Sequence, residues 1–270
     1  MKRNKPTIVS ALFNIQREGM DGRSWKNYLI WFDVFLKLKC NMVLFVTKDL
    51  EIFIKERRDL SSTHIIVERE DEIPYYYLQN DIYKIINSEF YKKNMKDINR
   101  IECRFPMYSI IQFSKFIWLK KTIRINPFNS NFYFWIDAGG SKLFRKFNFK
   151  KKFPSDKSIE ILEDLGETFL VQMNCDFYPD LYKSSYLSLD YLFDNRSFVL
   201  GGLFGGHKNI VDRIAYLVDD ILLNKMISKG NINNEQIALG YLIKKYPEYF
   251  SLYCRIDKSP MDIFNFLTIK

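Results

Sequence analysis

Two carboxylates in this chain stand where a carboxylate can do chemistry, and a third stands among the later elements. Asp137 ends the apolar run Phe132-Tyr133-Phe134-Trp135-Ile136 and precedes Ala138-Gly139-Gly140. There it can hold a divalent cation, Mn2+ or Mg2+, that bridges a diphosphate, or it can bind the hydroxyls of a ribose or sugar. It can also do no more than cap the turn at the glycines. Gly139 occupies the place of a second aspartate in an Asp-x-Asp pair, so such a cation would have one ligand fewer. Glu235 follows Asn233-Asn234 at a helix start. The helix dipole and asparagine capping explain an acid at that position. The chemical alternative is a nucleophile, a base for a hydroxyl, or a stabiliser of an oxocarbenium-like transition state. Asp176, just past the run Thr168 to Met173, is either the base of an inverting displacement or a loop carboxylate.

Cations and glycines accompany these acids. Arg17 follows the first apolar run, and Lys115 lies on the helix before Asp137. Either can pair with a diphosphate, or be an ordinary surface cation. Thr47 ends another strand, where it can touch a base or ribose, or cap the next helix. Gly201-Gly202-Leu203-Phe204-Gly205-Gly206 does not fit the GxGxxG dinucleotide pattern. It reads as a strand-to-helix turn that lets backbone approach a ligand and offers free N–H groups at the next helix start. Tight packing is the alternative. His207, directly behind, reads as a partly exposed loop histidine.

The elements that must position these residues alternate. Strands are expected over Thr7 to Phe13, Met42 to Thr47, Thr63 to Val67, Asn131 to Asp137, Thr168 to Met173 and Ser197 to Leu200. Helices are expected from a Ser24 cap through Leu36, over Tyr75 to Asn87, Ser109 to Ile123, Asn209 to Ser228 and Glu235 to Tyr246. Asn126-Pro127 ends the third of these. The alternation predicts an α/β fold, a mostly parallel sheet flanked by helices, in a single domain over 1–270. Ligands of such sheets lie beyond the carboxyl ends of the strands, which puts Asp137 at the site.

Bulk properties exclude several classes. A hydrophobic fraction of 47% with 27% charged residues is that of a folded protein, not a disordered one. The formal net charge of +9 attracts polyanions, yet no zinc-finger spacing, basic zipper or RRM signature accompanies it, so nucleic acid is not expected as a partner. The segment Lys142 to Phe153 interleaves lysines with Phe144, Phe147, Phe149 and Phe153. It reads as a strand or loop with its phenylalanines inward. Its functional alternatives are binding of single-stranded nucleic acid and, preferred, a peripheral contact with an anionic membrane. The four cysteines form no CxxC pair, which suits a reducing compartment. No apolar run is long enough to span a bilayer. The expected location is the cytoplasm, with the inner membrane face as the one membrane contact open to it.

Taken together, several stretches carry a resemblance: Asn126-Pro127-Phe128-Asn129, Phe134-Trp135-Ile136-Asp137-Ala138-Gly139, the double glycine pairs, Asn234-Glu235-Gln236, and the opening Thr7 to Arg17. They resemble the WlaTC/HtrL (YibB-like) bacterial glycosyltransferases over about Thr7 to Tyr246. The order of motifs is also similar to the GT-A (Rossmann-like) core of retaining blood-group-type transferases. The resemblance implies a nucleotide-sugar donor of UDP type and a surface-glycan acceptor such as lipooligosaccharide or capsule. It further implies Asp137 at the diphosphate or metal, with Arg17, Thr47 and Lys115 around the nucleotide. Gly201, Gly202, Phe204 and Gln236 would lie at the donor or acceptor sugar, and Glu235 at the reacting carbon.

Overall fold

The computed structural model describes residues 5–140, 144, 147–174, 188–254 and 262–269. The chain opens with β1 (Thr7–Leu12), the short α1 (Glu18–Asp21) and α2 (Trp25–Phe35). Ser24 caps α2 as its type predicts, accepting from the Asn27 N–H at 3.2 Å. Then come β2 (Asn41–Val46), α3 (Lys48–Lys55), β3 (Thr63–Val67), α4 (Gln79–Asn87) and α5 (Glu89–Asn94). The longest helix, α6 (Pro106–Ile125), has its proline in the first turn, where the missing N–H is harmless. It stops at Asn126 in the left-handed conformation, before Pro127. After it come β4 (Phe132–Ile136), α7 (Asp156–Leu165), β5 (Phe169–Met173), β6 (Val199–His207), α8 (Lys208–Asp220), α9 (Glu235–Lys245), β7 (Phe250–Cys254) and α10 (Asp262–Leu267).

The strands form one seven-stranded sheet in the order β3-β2-β1-β4-β6-β5-β7. Every described pairing is parallel except the two that β6 makes with β4 and β5. The expected mostly parallel α/β sheet is therefore what forms. Successive residues serve opposite faces: Val9, Val43, Tyr133 and Trp135 pack under α6, α8 and α9. Ile8, Met42, Phe134 and Ile136 pack against α2, α3 and α10. Burial on both faces explains why these strands read as continuous apolar runs.

One expectation is corrected. The segment Gly201–Gly206 is not a turn leading to a helix; it is the body of β6. Its glycines lie where neighbouring backbones come close: a Cβ on Gly205 would meet the Tyr133 carbonyl oxygen at 2.1 Å, with φ at 155°. β6 runs against β4, with Leu203 opposite Ile136 and His207 opposite Phe132. The start of α8 therefore lies at the opposite end of the strands from Asp137, and its N–H groups are far from any ligand there. His207 caps that helix, its Nδ1 accepting from the Asn209 N–H at 3.4 Å.

The basic–aromatic segment packs with its phenylalanines inward. Phe144 and Phe153 are buried on Phe264, at ring distances of 4.7 and 5.1 Å, and Lys150, Lys151 and Lys152 are exposed. Among the described residues no helix is long and apolar enough to cross a membrane.

Substituting Gly205 by valine should destabilise the fold by about 3 kcal/mol or more, because the clash is with backbone that cannot move aside. Urea unfolding followed by circular dichroism measures it, and a loss below about 1 kcal/mol would contradict the packing described for β6.

Candidate active site

The strands divide between β1 and β4: from β1 the chain winds outward through β2 and β3, and β4 begins the other half. Such a split opens a crevice beyond the carboxyl ends of the two strands. A cavity of about 440 Å³ lies there, between the continuation of β1 (residues 13–17) and the continuation of β4 (residues 137–140).

Two helices complete its wall. On α6, Tyr108, Ile111, Gln112 and Lys115 line it at the i, i+3, i+4, i+7 spacing of one helical face. On α2, Trp25, Tyr28 and Trp31 line it at three-residue steps. Tyr28 and Trp31 meet edge to face at 5.2 Å. Helical periodicity in the sequence marks α2 as amphipathic, but it does not separate these three rings from the core residues Phe32 and Phe35. Two tryptophans and a tyrosine on one face, just past a strand end, were the available signal.

Arg17 is aimed by its loop. Gln16 takes a left-handed φ of 54°, and Arg17 is then held by the Asp21 carboxylate and by the Tyr28 hydroxyl, which accepts from it at 2.8 Å. Its guanidinium lies 4.8 Å over the Tyr108 ring. Burial opposes its charge, but the bonded Asp21 raises its pKa further above the ordinary arginine value. Three of its five N–H groups have protein partners. Arg23, exposed, also borders the cavity.

The deepest group is the Lys115 ammonium, 2% exposed. It donates to Glu235 Oε1 at 2.8 Å and to the Gly201 carbonyl at 3.0 Å, and lies 3.0 Å from Asp137 Oδ1. An ammonium has three protons, and three oxygens surround this one. The same Asp137 oxygen accepts from Trp135 Nε1 at 2.6 Å. Asp137's side chain is 38% exposed and borders the cavity. Among the described residues no hydrogen bond or ion pair reaches its Oδ2. Burial opposes the charge on Lys115, but the two carboxylates raise its pKa and hold it protonated.

Glu235 is 0% exposed and does not line the cavity, which it meets only through Lys115. Burial pushes its carboxyl up to about 7, against the pull of Lys115. Its Oε2 has no partner among the described residues. A Cβ on Gly201 would lie 2.1 Å from Oε1, so glycine there makes room for the acid. The residues before it are locked by their own amides. Asn234 caps α9 by accepting from the Ile237 N–H at 3.1 Å and donates to Glu102 at 2.6 Å. Asn233 donates to the Leu192 and Asp194 carbonyls at 3.0 and 2.9 Å.

The other sequence candidates divide. Gly202 borders the cavity, and its carbonyl accepts from the Asp137 N–H at 3.0 Å. Gln236, its amide turned to satisfy both ends, accepts from the Gly201 N–H at 3.2 Å and donates to Val199 and Ser197, so it braces β6. Phe204 is fully buried and stacks on Phe116 at 5.1 Å, away from the cavity. Thr47 starts α3 without a side-chain cap bond and does not line the cavity. Asp176 lies outside the described residues.

The described residues around Asp137 do not fit a divalent cation. An ammonium and an indole N–H occupy one carboxylate oxygen, and Glu235, the other acid paired with that ammonium among the described residues, is buried behind it. Among the described residues no three His, Cys, Asp or Glu side chains come together as a cation-binding group.

A family model described as "Bacterial protein of unknown function (HtrL_YibB)" matches residues 4–268. No curated protein matches the chain. Among solved structures, mouse xyloside xylosyltransferase 1 in its apo form is similar at 8% identity and a TM-score of 0.43, over 92% of this chain and 84% of that one.

Two outcomes follow from the buried ions. Replacing Lys115 by methionine strands two acids and should cost about 3–5 kcal/mol, and adding Glu235→Gln should recover much of it. Urea melts of the single and double variants decide. The second outcome concerns pH. The Glu235 pKa lies above its unfolded value of 4.5, so between about pH 4.5 and 7 the native state holds a proton that the unfolded chain has released. Wild type should therefore lose stability relative to Glu235→Gln as pH rises from 5 to 8, by on the order of 2 kcal/mol. Melts of both proteins at the two pH values measure it; a flat difference would contradict the raised pKa.

Proposed function

This chain belongs to the HtrL_YibB family, and we propose that it is a glycosyltransferase of GT-A type that moves a sugar from a nucleotide-sugar donor to a hydroxyl of a surface glycan. The observation that carries this reading is the cavity wall: an available carboxylate, a set of aromatic rings and two guanidinium groups around one space. Each suits one part of such a donor. Aromatic faces take the planar base and the apolar faces of sugar rings. A carboxylate with an unbonded oxygen accepts from sugar or ribose hydroxyls, and guanidinium groups match phosphate oxygens in pairs. A volume of about 440 Å³ lies within the range of small-molecule sites. The motif resemblance supports the transfer chemistry and the lipooligosaccharide- or capsule-like acceptor.

In the step itself, the bond between the anomeric carbon and the diphosphate oxygen breaks, and its electron pair leaves with the nucleoside diphosphate. The acceptor hydroxyl oxygen forms the new bond and releases its proton to the departing phosphate or to solvent. Asp137 orients the sugar through Oδ2. Lys115, tethered by Glu235, fixes the Asp137 side chain and places a positive charge beneath it. Glu235 thus acts as a positioning residue, reaching the substrate through Lys115. Fixed charges of this kind stabilise developing charge without reorganising during the reaction.

Release of nucleoside diphosphate from a panel of UDP-, GDP- and dTDP-sugars, with and without a lipooligosaccharide acceptor, tests the reading. Turnover is expected with a UDP-sugar, and Asp137→Ala should lower kcat by roughly 100-fold or more while the protein stays folded. An Asp137→Ala enzyme as fast as wild type, or no turnover and no binding with any donor, would sink it.

A further inference from the structure

The misfit between the Asp137 surroundings and a divalent cation has a consequence for how the site meets its anion. We propose that the site binds a nucleoside diphosphate with protein cations alone, Arg17 and Arg23 meeting the phosphates while Lys115 stands where a metal would need Asp137. This rests on the nucleotide-sugar reading of the cavity and says what neutralises the donor.

Three observations converge. A cation would have to reach Asp137 at about 2.0–2.6 Å with several further oxygen ligands. Oδ1 is already ion-paired with the Lys115 ammonium at 3.0 Å and accepts from Trp135 Nε1 at 2.6 Å. Displacing the ammonium would strip Glu235 Oε1 and the Gly201 carbonyl of the donor they share, deep in the protein where unpaired polar groups are costly. Keeping it would set a divalent cation against a buried ammonium at close range and low dielectric.

The second ligand position carries no acid, residue 139 being glycine. A Cβ at residue 139 would lie 3.1 Å from Tyr28 Cε1 and 3.5 Å from Trp31 Cε3. A side chain there would need the Tyr28 ring to give by a few tenths of an ångström.

The third observation is where free positive charge remains. Lys115 already has three oxygen partners within 3.0 Å, so a phosphate would reach it only by displacing one of them. Arg17 has two N–H groups without a described protein partner, and Arg23 sits beside it with a looser contact to Asp21 at 3.6 Å. Both arginines border the cavity on the β1 side, across from Asp137; Glu18 lines the same side, and Asp21 pairs with both arginines without using all their donors. Phosphates on that side leave the sugar pointing towards Asp137.

Titration calorimetry with UDP as the probe tests this on the wild-type protein, once in EDTA and once with millimolar MnCl2. The expected result is binding in EDTA with a Kd within about threefold of that in manganese, weakened at least tenfold by Arg17→Ala. Circular dichroism checks that the variant is folded. The Lys115→Met/Glu235→Gln protein, in which Asp137 is freed of its ammonium, should instead gain a manganese dependence. Binding of UDP to wild type only with manganese, or more than tenfold tighter with it, overturns the inference and leaves the transferase reading standing. No binding of UDP, GDP or dTDP under either condition overturns both.

Discussion

The site is organised around one ammonium group buried where four parts of the chain meet. Lys115 projects from α6, Asp137 from the end of β4, and Glu235 from the start of α9, while the Gly201 carbonyl comes from β6. A buried ion cluster of this kind adds little net stability, because each ion gives up its hydration. What it does is penalise every arrangement in which one partner is missing. β4, β6, α6 and α9 can therefore close on one another in only one register without leaving a charge unpaired. The asparagines before Glu235, the glycine at 201 and the Trp135 indole all serve this requirement, either by holding a partner or by making space for it.

Much of the architecture is legible in the sequence for a simple reason. Strands covered on both faces are apolar throughout, so Thr7 to Leu12, Asn41 to Val46 and Phe132 to Ile136 stand out without alternation. Ser24 and Asn126 mark helix ends by local hydrogen bonding and backbone conformation, which depend on few neighbours. The two short terminal elements, Phe250–Cys254 and Asp262–Leu267, have no such mark. They exist because β5 and the apolar face under α2 offer them partners, and that is a property of the tertiary structure.

The glycine segment shows the limit most clearly. Glycine is a poor strand former, and two glycine pairs ahead of a helix invite a ligand-binding turn. In the fold the same residues are required by a crowded sheet, where β6 lies between β4 and β5 and the Tyr133 carbonyl leaves no room for a side chain at 205. Reversing that single strand carries the start of α8 to the opposite end of the strands and leaves only Gly201 and Gly202 beside Asp137. Asp137, Lys115 and Arg17 stood out from residue type and position. The rings of α2 did not, because a cavity wall and a core face have the same helical period.

The division of labour among the cations follows from desolvation. A lysine buried this deeply stays charged only if its protons are all accepted, and once they are, a ligand reaches it only by displacing a partner. Its role is then confined to fixing Asp137 and setting the local field. An anion entering the cavity is best met by cations that keep unused donors near solvent, and among the described residues on the wall these are Arg17 and Arg23 of the β1 side, with Glu18 between them in the chain. The carboxylate and the guanidinium groups consequently face the cavity from opposite strands, β4 and β1. A ligand that is anionic at one end and rich in hydroxyls at the other fits that polarity in one orientation only, with its reacting end over the Asp137–Lys115 pair.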